Sequence, residues 1–144
     1  MILFVLMPTV VLAAEEREQI NGTLVRVIDG DTFILEPLDG RSIRVRIWGI
    51  NAPERNQPGG TQAAMVLDAL VNAEGRRLRC RYRDIDRHRR LVAQCETDHE
   101  TDLGSYLVSQ GVARDCPRFS KGHYSRFETS ASAALPHATF CQLR

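Results

Sequence analysis

The chain has 144 residues, 43% of them hydrophobic and 26% charged, with a formal net charge of +1. That length suits one domain around one core, and the composition excludes a disordered or low-complexity chain. Near-neutrality leaves any attraction for polyanions to local clusters rather than to bulk charge.

Residues 1–14 carry no charge and are mostly Ile, Leu, Val, Phe and Ala, and a charged run, Glu15-Glu16-Arg17-Glu18, follows at once. The stretch is too short to span a bilayer core of about 30 Å. It reads as a signal-peptide core ending in small residues, with cleavage near Ala13 or Ala14. No Lys or Arg precedes it, so a retained N-terminal anchor is the alternative. The expectation is therefore a leader over 1–14 and a single domain over 15–144, monomeric, without a stable membrane span after processing, and secreted or periplasmic.

Residues 23–28 predict a first strand, Asp29-Gly30-Asp31 a turn, 32–36 a second strand, and Pro37-Leu38-Asp39-Gly40 a second turn. Residues 42–48 alternate: Ile43, Val45 and Ile47 share one face, Arg44 and Arg46 the other, which points Arg46 away from the core. Residues 51–60 hold two prolines and two glycines and read as a loop. A helix over 61–73 follows, with Ala63, Val66, Leu67 and Leu70 at helical spacing and Gly75 as its C-terminal cap.

Residues 77–83 alternate again, with Leu78, Cys80 and Tyr82 on one face and Arg77, Arg79, Arg81 and Arg83 on the other. Residues 91–95 form the fifth strand. A hairpin turning near Arg87-His88 sets residues whose numbers sum to 175 opposite each other, and Cys80 and Cys95 meet that condition. A second helix is expected over 102–110, capped by Thr101 or Asp102 and ended by Gly111. A third is expected over 125–135, with Phe127, Ala131 and Ala134 inward, stopping at Pro136. The four cysteines suit two disulfides in an oxidising compartment. Cys116 and Cys141 bracket the third helix, so the favoured pairing is 80–95 with 116–141, although spacing does not exclude the others. No C-x-x-C pair offers a zinc pattern. Five strands followed by helices, with one helix between strands three and four, suggest an α+β fold: a five-stranded OB-type barrel with three helices.

Eighteen of the nineteen basic residues are Arg, and eight of those lie between Arg76 and Arg90. Arg grips phosphate through a planar fork and keeps its charge. A solvated strand face is the plain alternative.

Three clusters carry chemistry. They are Val27-Ile28-Asp29-Gly30-Asp31-Thr32, then Arg46 followed by Asn51-Ala52-Pro53-Glu54, then Asp86-Arg87-His88-Arg89-Arg90. Singly, each fits an ordinary turn or loop. In this order, over residues 20–135, they resemble the staphylococcal nuclease family, which shows Asp-Gly-Asp-Thr, an Arg strand leading to Asp-x-Pro-Glu, and Asp-x-x-Gly-Arg. The resemblance implies an OB barrel with three helices and calcium-dependent hydrolysis of DNA or RNA, breaking the bond to the 5′ oxygen and leaving 3′-phosphates. It implies Asp31, Asn51 and the Ala52 carbonyl as metal ligands and Glu54 as the residue that orients or deprotonates water. Arg46 and Arg90 would grip the phosphate. Arg44 and Arg89, from the Arg-rich faces, are expected to bind nucleic acid.

Such residue types suit phosphoryl transfer, which needs positioning and charge stabilisation more than covalent help. Two positions depart from the family pattern. Asn51 stands where a second carboxylate is usual, which keeps an oxygen ligand and loses a charge; calcium affinity falls with ligand charge. His88-Arg89 stands where an aromatic-Gly pair is usual, and Gly allows a positive φ that Arg tolerates poorly.

The main rival reading is an OB barrel that binds nucleic acid without cutting it; its candidate stacking aromatics are Trp48, Phe119 and Tyr124. A disulfide-stapled envelope protein facing anionic lipid or polysaccharide is a third. His88, His99, His123 and His137 lack the H-E-x-x-H spacing of a histidine metal hydrolase.

Overall fold

The computed structural model describes residues 19–143; the predicted leader over 1–14 lies outside them. Among these residues seven strands occur in chain order: β1 (Gln19–Asp29), β2 (Thr32–Glu36), β3 (Ile43–Ile47), β4 (Ile50–Asn51), β5 (Arg77–Ile85), β6 (Leu91–Thr97) and β7 (Arg114–Asp115). Five of them close into a barrel in the order β1-β2-β3-β6-β5, while β4 and β7 form a separate antiparallel pair. The β3–β6 pairing is parallel and the other barrel pairings are antiparallel. This is the expected OB-type α+β architecture.

Alternation fills the barrel. Leu24, Phe33, Leu35, Val45, Ile47, Leu78, Leu91 and Ala93 are buried. Helix α1 (Gly60–Glu74) closes one side through Ala63, Leu67, Leu70 and Val71, and ends at Gly75 with φ 84°. Helix α2 (Leu103–Ser109) buries Leu103, Leu107 and Val108. Of the two expected caps, Asp102 performs the task, accepting from the Ser105 N–H at 2.8 Å; such a cap contributes about 1 kcal/mol.

The β5–β6 hairpin keeps the predicted register from Leu78↔Thr97 to Tyr82↔Ala93, then slips by one residue to Asp84↔Val92. The slip is a bulge, and it turns the end of β5 outward. Tyr82, expected to share the inward face of Leu78 and Cys80, is instead 40% exposed.

The third helix is corrected. Residues 125–135 are not one helix but a 3-10 turn at Ser125–Phe127 and a short α4 (Ser130–Ala134), preceded by a four-residue α3 (Pro117–Ser120). Thr129 is extended, its Oγ accepts from Ser132 N–H, and Ser132 Oγ accepts from Thr129 N–H at 2.6 Å. That reciprocal capping box starts a helix where the apolar spacing implied a helix interior. It also turns Ser132 inward and leaves Ala131 and Ala134, expected inside, exposed.

Cys80 pairs with Cys95 directly across β5–β6, and Cys116 with Cys141. The second bond ties the tail to the segment after β7. Replacing Cys116 and Cys141 together by Ser is expected to lower unfolding free energy by about 3 kcal/mol, read as an earlier urea midpoint. An unchanged midpoint would show that the tail is held without the bond.

Candidate active site

The barrel brings the three sequence clusters to one place through β3. Antiparallel pairing sets Thr32 of β2 opposite Arg46 of β3. Parallel pairing sets Val45 beside Leu91, so Arg90, one residue earlier, enters from the other flank.

Asp31 is the hub. It is 5% exposed. Its Oδ2 accepts from the Ala52 N–H at 2.8 Å and lies 3.3 Å from Arg46 Nη2. Its Oδ1 accepts from Thr32 Oγ1 at 3.2 Å. The same Thr32 hydroxyl accepts from Arg90 Nη1 at 3.4 Å. Asp31 and Thr32 thus bridge the two guanidiniums; the sequence places Thr32 in the Asp-Gly-Asp-Thr cluster and at the start of β2 but assigns it no role of its own.

Arg46 is held on several sides. Its Nη1 donates to the Ile47 carbonyl at 2.8 Å, and its Nη2 donates to the Ile50 carbonyl at 2.9 Å and to Asn51 Oδ1 at 3.5 Å. The Arg46 and Asp31 side chains are 12% and 8% exposed. At that burial the pair adds little net stability, yet loss of one partner costs about 3–5 kcal/mol.

Arg90 Nε donates to Asp86 Oδ2 at 2.7 Å. Burial would raise the Asp86 carboxyl, but hydrogen bonds from Arg90 and from the His88 N–H outweigh it and hold the group below its usual range. Burial first, and the charge of Asp31 second, push the Asp29 carboxyl up to about 6.

Other predicted residues stand further out. Glu54 is exposed, and its N–H donates to Gln57 Oε1 at 2.9 Å. Arg44 and Arg89 are exposed. Ala52, expected to act through its carbonyl, meets Asp31 through its N–H. The Arg cluster is partly neutralised: Arg76, Arg77 and Arg79 face Asp68, Asp98 and Glu96, at 2.7, 3.7 and 3.0 Å.

Two glycines set this geometry by close approach. A Cβ on Gly30 would stand 2.5 Å from Ala63 Cβ and 2.9 Å from Ala52 Cβ, so the turn before Asp31 packs tightly on α1 and the loop. A Cβ on Gly60 would stand 1.7 Å from the Glu54 carbonyl, so the Glu54 backbone rests on the start of α1. Arg55, unremarked in the sequence, donates from Nε to the Ile28 carbonyl and ties that loop to β1.

The sequence model described as staphylococcal nuclease homologue matches residues 44–136, and this chain belongs to that family. It is 33% identical over 95 residues to an uncharacterized endonuclease of Escherichia coli O157:H7, with 65% of this chain and 60% of the relative covered. It is 32% identical over 103 residues to an uncharacterized endonuclease of Haemophilus influenzae, covering 72% and 56%. It is 30% identical over 111 residues to Protein ParB of Escherichia coli, covering 72% and 61%. The matches thus span about three fifths of the length of these relatives.

Arg89, at the family's Gly position, has φ 60°. The turn therefore keeps the left-handed backbone that Gly favours, at a strain of about 1–2 kcal/mol. Arg89→Gly is expected to leave stability within about 1 kcal/mol of the parent or raise it, because relief of strain offsets added chain entropy. Arg89→Val is expected to destabilise, because a β-branched residue is poorly tolerated at positive φ. Thermal melts that rank Val above Gly would refute the strained-turn account.

Proposed function

We infer that the protein is an exported, metal-dependent nuclease that hydrolyses phosphodiester bonds of DNA, RNA or both and leaves 3′-phosphates. The observation that supports it is the approach of Arg46 from β3 and Arg90 from the turn just before β6 to the single Asp31–Thr32 corner. Two planar forks on either side of one corner suit the oxygens of a phosphodiester as charge builds on them.

The donor set fits a hard cation. Asp31, Asn51 and the Ala52 carbonyl offer oxygen only, which suits calcium or a related ion. Asp31, Asn51 and Ala52 would hold the ion; when bound, it supplies positive charge that polarises the phosphate and favours aligned water. Glu54, exposed at the loop, accepts the water proton. Arg46 and Arg90 hold the phosphate and meet its developing charge.

One observation favours a second reading, a barrel that binds without cutting. Asn51 brings no charge, and its Oδ1 is already turned to Arg46. Export rests on the apolar run over 1–14 and on the two disulfides, which persist in oxidising compartments. Among the described residues no helix is long and apolar enough to cross a membrane. We take the working form to be a monomer.

The protein expressed from Glu15 in an oxidising host is expected to cut nucleic acid with a divalent ion and not with chelator. Glu54→Gln is expected to lower the rate by about 10²–10⁴-fold at unchanged thermal stability, since the side chain is exposed. Salt-sensitive binding without cutting under any ion would establish the second reading instead.

Asn51→Asp restores a charge beside Arg46 and is expected to tighten calcium binding and raise activity. A calcium titration identical to the parent's would remove Asn51 as the weak point of the site.

A further inference from the structure

The β3–β6 ladder continues one residue beyond Ile47, because the Trp48 N–H donates to the Ala93 carbonyl at 2.9 Å. Alternation then sets Trp48 on the same outward face as Arg46, with Cα atoms about 7 Å apart. Trp48 is partly buried against the core, with aromatic and cationic groups around its ring. The Arg83 guanidinium lies over the ring at 4.4 Å from its centroid. His123 lies beside it at 5.8 Å, tilted by 50°. Tyr124, fully buried, supports both rings edge-on, at 5.8 Å from Trp48 and 4.7 Å from His123.

Basic groups outnumber acidic ones around the ring, although Asp102 lies behind it, accepting from the Tyr124 hydroxyl and from Gln94 Nε2. The segment 117–127 carries Arg118, Lys121 and Arg126 and no acidic residue. Arg83 is exposed and otherwise donates only to the neutral Gln94 Oε1, at 2.7 Å. An exposed cation–π contact is weak, whereas a nucleobase stacked on an aromatic face is held more strongly. Arg83 is therefore a movable cover that a base displaces, and a displaced guanidinium is free to meet a phosphate.

We propose that Trp48, covered by Arg83 and flanked by His123, is a stacking site for one unpaired base next to the phosphate held at Arg46. This rests on the reading of the Arg46 site as a phosphodiester site. A base paired within a duplex cannot present its face to Trp48, so the site favours single-stranded or frayed nucleic acid.

Trp48 is the single tryptophan of the chain, so its emission reports on the stack alone. The full-length mature protein, in chelator, is titrated with a short oligothymidylate and with an abasic strand of equal length and phosphate number. Oligothymidylate is expected to quench the emission and the abasic strand to leave it. Trp48→Leu is expected to bind oligothymidylate roughly tenfold more weakly, to bind the abasic strand unchanged, and Trp48→Phe to recover most of the loss. Equal quenching by both strands, or a Leu variant that keeps the full preference for bases, would overturn the stacking site. If the Leu variant does not melt cooperatively, the contrast in wild-type quenching decides alone. Cutting assays with metal run in parallel. Quenching without cutting would retire the nuclease reading and leave the stacking site standing. Cutting without base-dependent quenching would do the reverse.

Discussion

A carboxylate taken out of water must find donors, and the donors that Asp31 finds organise the molecule. Its two oxygens collect the Ala52 N–H, the Arg46 guanidinium and the Thr32 hydroxyl. These come from the loop after β4, from β3 and from the start of β2. An unpaired buried carboxylate would be driven to neutralise. The loop that carries Glu54 is thus fastened to the barrel by the same charge that is proposed to face the metal. Gly30 allows this fastening, because any side chain there would strike α1 and Ala52.

The position of β3 between β2 and β6 explains why two distant arginines share one corner. Antiparallel pairing on one flank sets Thr32 opposite Arg46, and parallel pairing on the other, which sets Val92 beside Arg46, brings Arg90 within two residues of that level. Both arginines are already anchored, Arg46 by backbone carbonyls and Arg90 by Asp86. Anchoring reduces the freedom lost when a phosphate is gripped, and so favours positioning over mere attraction. The rest of the Arg-rich hairpin contributes less charge than its composition suggests, since several of its guanidiniums face carboxylates.

The C-terminal third serves as a brace. Asp115 of β7 is buried and accepts from Ser120 Oγ at 2.6 Å and from the Tyr124 N–H at 3.2 Å. Burial, and then the nearby Asp102, push the Tyr124 phenol far above its ordinary range, so it stays neutral beneath the aromatic site. Tyr124 in turn fills the space left by Gly49 and Gly104, where a Cβ would lie 2.9 and 2.6 Å from its atoms. The Cys116–Cys141 bond closes this brace at the tail.

The sequence by itself determined the barrel, the first two helices and the hairpin register as far as Tyr82, because period-two and period-3.6 burial are written in local apolar spacing. It also picked out the short clusters that the barrel brings to one place, because turn glycines and flanking charges are local features. It misread residues 125–135, where a capping box between Thr129 and Ser132 outweighed apolar spacing, and it misread the burial of Tyr82, which keeps the predicted pairing yet is exposed just before the bulge. Only the tertiary structure decided that Ala52 meets Asp31 through its N–H, that Thr32 joins the two arginines, and that Arg83 covers Trp48. Those contacts link residues from 21 to 58 positions apart, and they form where elements pack against one another. Local spacing holds no record of such packing, because it depends on which surfaces meet once the barrel has closed.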